Sequence, residues 1–193
     1  VTTAAGPPTG ETIPLPIDVP VHGSARAHEF VTGQVGSFAD AVARLRSSIA
    51  AGADVVVTTL VTRSTFRELA AMPAWLRAES VTRWRLTMAR AEGRFAADPR
   101  PWIPRLGMAV PHALAAIDQA RRVGIAATIR GVPRCLLGPY AGWREAAVSP
   151  GVFAAACRGC GVRDDCDGVG EWYLQTFGAK ELRPLAPPPA PDG

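Results

Sequence analysis

The stretch ADVVVTTLVT, from Ala53 to Thr62, decides the fold. It is apolar and β-branched, and it lacks the strict alternation of a strand with one wet face. That composition suits a strand covered on both sides, as in a parallel sheet. Its flanks read as helices. Upstream, Ser37 with Asp40 three residues on forms a short-armed capping box. Phe38, Val42, Leu45 and Ile49 then recur at helical spacing, and Gly52 ends the run. Downstream, a second helix starts after Ser64, with Thr65 and Glu68 as its capping box. Leu69, Met72 and Leu76 form its buried stripe, and Pro73 divides it.

The same alternation continues outward. IPLPIDVPVHG (13–23) reads as a preceding strand despite its three prolines, and SARAHEFVTGQVG (24–36) as a loop. VTRWRLTMA (81–89) is the next strand and is followed by an Arg-rich loop. A helix over 111–123 carries Leu114, Ile117 and Ala120 and closes at Gly124. IAATIRG (125–131) is the fourth strand. The order β-α-β-α-β-α-β predicts an α/β fold with a parallel sheet and right-handed crossovers. Four strands are few for a closed barrel, and three helices scarcely cover both faces of an open sheet. The element count therefore predicts part of a larger architecture.

Composition narrows the function classes. Of 193 residues, 48% are hydrophobic, enough for a sizeable core. No apolar run approaches the roughly 18–20 residues that span a bilayer. VTTAAGPPTGETIP has neither a basic start nor an apolar centre, so no export signal is read and a cytoplasmic location is expected. The net charge of +4 rests on scattered arginines, with one lysine, Lys180. Nucleic-acid binders concentrate charge on one face, so neither nucleic acid nor membrane is expected as a partner.

The four cysteines carry the chemistry. CRGCGVRDDC places Cys157, Cys160 and Cys166 at C-x2-C-x5-C spacing, and Cys135 stands apart in GVPRCLLGPY. Disulfides would need an oxidising compartment. Idle buried thiols would suit an apolar pattern better than this polar, glycine-bearing one. Zinc and iron–sulfur clusters both accept four thiolates. One C-x2-C knuckle, one wider step and one distant cysteine lean toward a cluster, whose corners lie farther apart than one ion's ligands.

Taken in order, these residues resemble the C-terminal half of radical SAM proteins that carry a SPASM or twitch extension. VHGSARAHEFVTGQVGSF looks like the fourth-strand segment of that barrel, VVVTTLVTRSTFREL the fifth strand and its helix, and VTRWRLTMARAEGR the sixth. GVPRCLLGPY, then C-x2-C-x5-C-x-G with Tyr173, Phe177, Gly178 and Glu181 behind it, looks like the cluster-bearing extension. The resemblance implies part of a (β/α)6 partial TIM barrel over 13–131 and a SPASM/twitch-like extension over 132–183. It implies an auxiliary [4Fe–4S] cluster on Cys135, Cys157, Cys160 and Cys166. Family members split S-adenosylmethionine at a different cluster, and many modify a peptide or protein. Residues 1–12 read as an arm, and 184–193 as a Pro-rich disordered tail.

The departures are specific. The C-x3-C-x2-C loop that holds the SAM-splitting cluster is not in this sequence, nor is the glycine-rich segment after the second strand. Pro20 stands where a family serine helps hold SAM, and Ser64 where an Asn is frequent. Gly170 replaces the next SPASM cysteine, which argues for one auxiliary cluster. The expectation is a chain that does not cleave SAM alone and depends on an N-terminal half or a partner chain.

Single residues follow. Arg63, which could pair with a carboxylate, and Ser64 lie where SAM or substrate would be edged. His22 is read as a loop histidine bonded to backbone. His28 and Glu29 are read as solvated and His112 as structural. Asp164 and Asp165 would add negative charge beside the thiolates. Trp172 and Tyr173 pack the last helix.

Overall fold

The computed structural model describes residues 15–149 and 151–186. The N-terminal arm over 1–12 and the last residues of the Pro-rich tail lie outside this range. Five strands form one wholly parallel sheet in the order of the chain: β1 (Ile17–Pro20), β2 (Val55–Val61), β3 (Arg83–Met88), β4 (Ala126–Arg130) and β5 (Arg144–Glu145). The run chosen from sequence is β2, the second strand in this order. Helices α2 (Ser37–Ala50), α3 (Met72–Ala78) and α4 (Leu106–Arg122) connect the strands. Among the described residues, no helix is long and apolar enough to cross a membrane.

Register sorts the sheet into two unlike faces. Val19, Val57, Trp84 and Ala127 are cross-strand partners in one row, with Thr59, Leu86 and Ile129 in the next. All are buried, and the apolar ones share a core with Leu45 of α2, Leu76 of α3 and Ile117 of α4. Trp84 donates from Nε1 to Thr59 Oγ1 (2.9 Å), and Thr59 donates to the Val21 carbonyl (2.6 Å). The polar groups inside this core are thus satisfied within it.

The opposite face carries Thr58, Arg85 and Thr128 in one row and Thr87, Arg130 and Glu145 in another. Glu145 receives Arg85 Nε (2.6 Å), Arg130 Nη2 (2.8 Å) and Thr128 Oγ1. Burial pushes its carboxyl up. Hydrogen bonds from Thr128 and Arg85, with the charges of Arg85 and Arg130, outweigh burial and hold it below the usual range.

Several elements differ from the sequence reading. Residues 24–36 are not a loop: α1 spans Ala25–Thr32. Ser24 Oγ accepts the Ala27 N–H, and Gly33 ends the helix in the left-handed region at φ 75°. The helix has only eight residues, too few for a clear apolar stripe. At α2 the cap is Gly36, not Ser37, whose hydroxyl pairs with Thr32 Oγ1 at 2.7 Å. Thr65 closes the turn after β2 instead of capping a helix. It accepts from Thr62 N and donates to the Leu60 carbonyl. Leu69, Met72 and Leu76 are buried as expected, but they follow a 3-10 turn (Leu69–Ala71) and then α3, where Pro73 sits in the first turn.

Helix α4 begins at Leu106, five residues before Pro111. A proline inside a helix removes one backbone bond. Burial of Leu106, Ala109 and Val110 holds the turn ahead of it. The fifth strand lies inside the span between Cys135 and Cys157, where the sequence shows no strand signal.

The two histidines near β1 form a buried stacked pair with ring centroids 5.1 Å apart. His22 Nδ1 accepts the Leu60 N–H (3.2 Å), and the His22 N–H donates to His28 Nδ1 (3.3 Å). His22 is bonded to backbone as expected, whereas His28 is not solvated but fully enclosed on α1. Both rings therefore keep their proton on Nε2. Burial first, and then the charge of His28, lowers His22 from 6.5 to about 4. The unfolded chain takes up the proton first. Stability from neutral His22 is complete above about pH 6.5 and is lost as pH falls toward 4, by about 3 kcal/mol. Urea unfolding at pH 7.5 and pH 4.5 should show this drop, and His22→Gln should lack its share of it.

Candidate metal centre

Beyond β4 the chain turns at Pro133 into a 3-10 turn (Arg134–Leu136) that carries Cys135. It crosses the sheet edge as β5 and returns through an antiparallel bridge, Val152 to Val169. Gly168 makes that bridge possible. It adopts φ 67°, and a Cβ there would stand 2.6 Å from the Val152 carbonyl oxygen.

Three successive turns place the other cysteines. Cys160 N bonds the Cys157 carbonyl (3.2 Å), Arg163 N the Cys160 carbonyl (3.2 Å), and Cys166 N the Arg163 carbonyl (3.1 Å). Each closes a step of three residues, so the spacings of three and six between these thiols are whole numbers of turns.

All four cysteines line one apolar pocket with Pro133, Val152, Phe153, Leu182 and Pro184. All four are free thiols, so no disulfide joins them. Cys135 Sγ accepts the Arg183 N–H (3.4 Å), Cys160 Sγ the Leu185 N–H (3.4 Å), and Cys166 Sγ the Arg134 N–H (3.5 Å). Burial pushes the Cys135 thiol up. The Arg183 N–H pulls the other way, and the neighbouring Cys166, Cys157 and Cys160 push it up further. Among the described residues, no three His, Cys, Asp or Glu converge as a single metal ion would require. The sulfurs surround a pocket rather than a point.

The acidic residues here are not free negative charge. Asp165 pairs with Arg134 and with Arg144 Nη2 (2.6 Å), and Arg144 Nη1 also holds Asp167 Oδ1 at 3.0 Å. Arg144 follows directly on the Trp143 turn, and its place in β5 fixes this pairing. Sequence reasoning missed Arg134, Arg144 and Asp167, since an arginine on an unrecognised strand gives no local signal.

A second cavity, of about 450 Å³, opens at the C-terminal ends of β3 and β4, where Met88 and Gly131 line it with Trp172 and Tyr173. Ligands of parallel α/β sheets bind at this edge. Gly168 and Val169 line both cavities, so one layer of backbone separates this cleft from the thiols.

Helix α5 (Glu171–Phe177) closes the extension onto the sheet domain. Tyr173 is buried, accepts the Leu106 N–H (2.8 Å) and donates to Glu181 Oε2. Glu181 also accepts the Gly107 N–H. Burial and then the Glu181 hydrogen bond shift the phenol upward, so it stays protonated. Tyr173→Phe leaves the first N–H of α4 without a partner and should cost about 1–3 kcal/mol in thermal or urea unfolding.

Arg63 and Ser64 lie elsewhere. Arg63 donates to the Arg100 carbonyl (3.1 Å), and Ser64 pairs with Thr62 Oγ1 (2.8 Å). Neither lines the thiol pocket or the cleft. His112 is exposed on α4, edge-on to Phe66. Compared with known proteins, the chain matches no protein-family model and no curated protein.

Proposed function

We propose that this chain is the C-terminal portion of a radical SAM protein and that its four cysteines hold one auxiliary iron–sulfur cluster. One observation carries the reading. Four free thiols line one apolar pocket, and three accept backbone N–H bonds at sulfur. The donor set fits: thiolates are the ligands of such clusters, and N–H bonds to sulfur are among the features that tune them. The spread of the sulfurs suits a multi-iron body better than one tetrahedral ion.

When bound, a cluster of this kind supplies a site for electron transfer or substrate placement. The chain's own residues do the rest. Pro133, Phe153 and Leu182 exclude water from the thiols. Arg134 and Arg144 neutralise Asp165. The backbone at Gly168 and Val169 brings the neighbouring cleft close. A wholly parallel sheet, with its core helices packed against one face and a charged opposite face, supports the partial-barrel reading, in which the charged face lines the lumen. The motif for a SAM-splitting cluster is not in this chain. SAM chemistry therefore requires that motif from an N-terminal half or a partner chain, and a peptide or protein is the proposed substrate class.

Anaerobic reconstitution with iron and sulfide, followed by SAM and a strong reductant, tests this. The loaded chain should show a visible absorption that bleaches on reduction and should release no 5′-deoxyadenosine by itself. Absence of the band would remove the cluster, and release of 5′-deoxyadenosine would remove the need for a second half.

A further inference from the structure

The segment Leu182–Leu185 follows the last helix and is read from sequence only as the run into the tail. Its contacts are specific. Arg183 N donates to Cys135 Sγ and Leu185 N to Cys160 Sγ. The Leu185 carbonyl accepts the Gly161 N–H at 2.9 Å, so Leu185 pairs in both directions with the Cys160–Gly161 turn. Leu182 is buried and lines the thiol pocket with Pro184. Two of the three N–H bonds to sulfur thus come from three consecutive residues.

We infer that Arg183–Leu185 is a positioning strap of the metal site, holding the Cys135 and Cys160 thiolates through its backbone. The inference rests on the metal-binding reading above but not on which metal binds. Thiolate ligands carry negative charge, and an N–H aimed at sulfur stabilises it. In an iron–sulfur cluster the reduced state is the more negative, so these bonds favour reduction. Pro184 lacks an N–H of its own and fixes the chain between the two donors.

Proline and alanine at position 185 separate backbone from side chain. Leu185→Pro removes the donor to Cys160, while Leu185→Ala removes a half-exposed side chain and keeps the donor. In the iron-loaded protein, Leu185→Pro should lower the midpoint potential and speed loss of iron to a chelator on the order of tenfold, the value of one hydrogen bond to a charged group. Leu185→Ala should match the unaltered protein in both. If the protein loads zinc instead, the cluster reading fails, yet zinc release should still be faster in Leu185→Pro. Equal release and equal potential in the two variants would overturn the strap while leaving the metal site intact. Truncation after Pro184 removes the same donor without a new proline and should reproduce the Leu185→Pro release rate. Release at the unaltered rate would overturn the strap as well.

Discussion

Replacing Cys135 with alanine abolishes stable metal retention and lowers the melting temperature of the loaded protein to that of the metal-free chain. Cys135 is the decisive cysteine because it is remote from the other three in sequence. Its place in the pocket comes from the turn after β4, and theirs from the three turns after Ala154. A metal joining them closes the span that contains β5, so binding energy becomes folding energy. Loss of one of four thiolates leaves an open corner. Elemental analysis after desalting, with differential scanning calorimetry on the same samples, reads both effects. Unchanged metal content in Cys135→Ala would confine the site to Cys157, Cys160 and Cys166. Metal lost without any fall in melting temperature would show that the span is held by protein contacts alone.

Trp84→Ala should be the most destabilising single change in the sheet domain, at roughly 3–5 kcal/mol. Trp84 lies on β3 at the centre of the helix-facing row, is 1% exposed, and has cross-strand partners on both sides. Its truncation leaves a large cavity and takes away the donor to Thr59. Trp84→Phe keeps most of the volume and loses chiefly that hydrogen bond, so it should cost about 1–2 kcal/mol. Urea unfolding of the two variants separates packing from hydrogen bonding. Equal losses in both would mean that the indole N–H, rather than the volume, dominates.

What the sequence made legible follows from how local each signal is. Val55–Val61 announced a buried parallel strand through composition alone, and the 3.6-residue period of α2 stands out over fourteen residues. Helix α1 is eight residues long and mixes Arg, His and Glu with its buried Ala27 and Val31, so its pattern is too short to separate from a loop. The start of α4 depends on Tyr173 and Glu181, which lie more than sixty residues away and leave no mark near Leu106. Strand β5 exists because Glu145 meets Arg85, Arg130 and Thr128 from β3 and β4. Two residues carry no periodicity. At the candidate site, the cysteine spacing was readable because it is a short-range property. The N–H bonds to sulfur are donated by backbone, which any residue but proline offers, so sequence could not single out Arg183 or Leu185. Likewise Asp165 looked like free charge until Arg134 and Arg144 were brought to it by the turn after β4 and by β5.

The central claim is that four thiols surround one iron–sulfur body, and metal and sulfide stoichiometry tests it most directly. Protein purified without oxygen and reconstituted with iron and sulfide should hold about four irons and four acid-labile sulfides per chain. One tightly held zinc per chain, with no labile sulfide, would contradict the account and leave CRGCGVRDDC as a structural clasp.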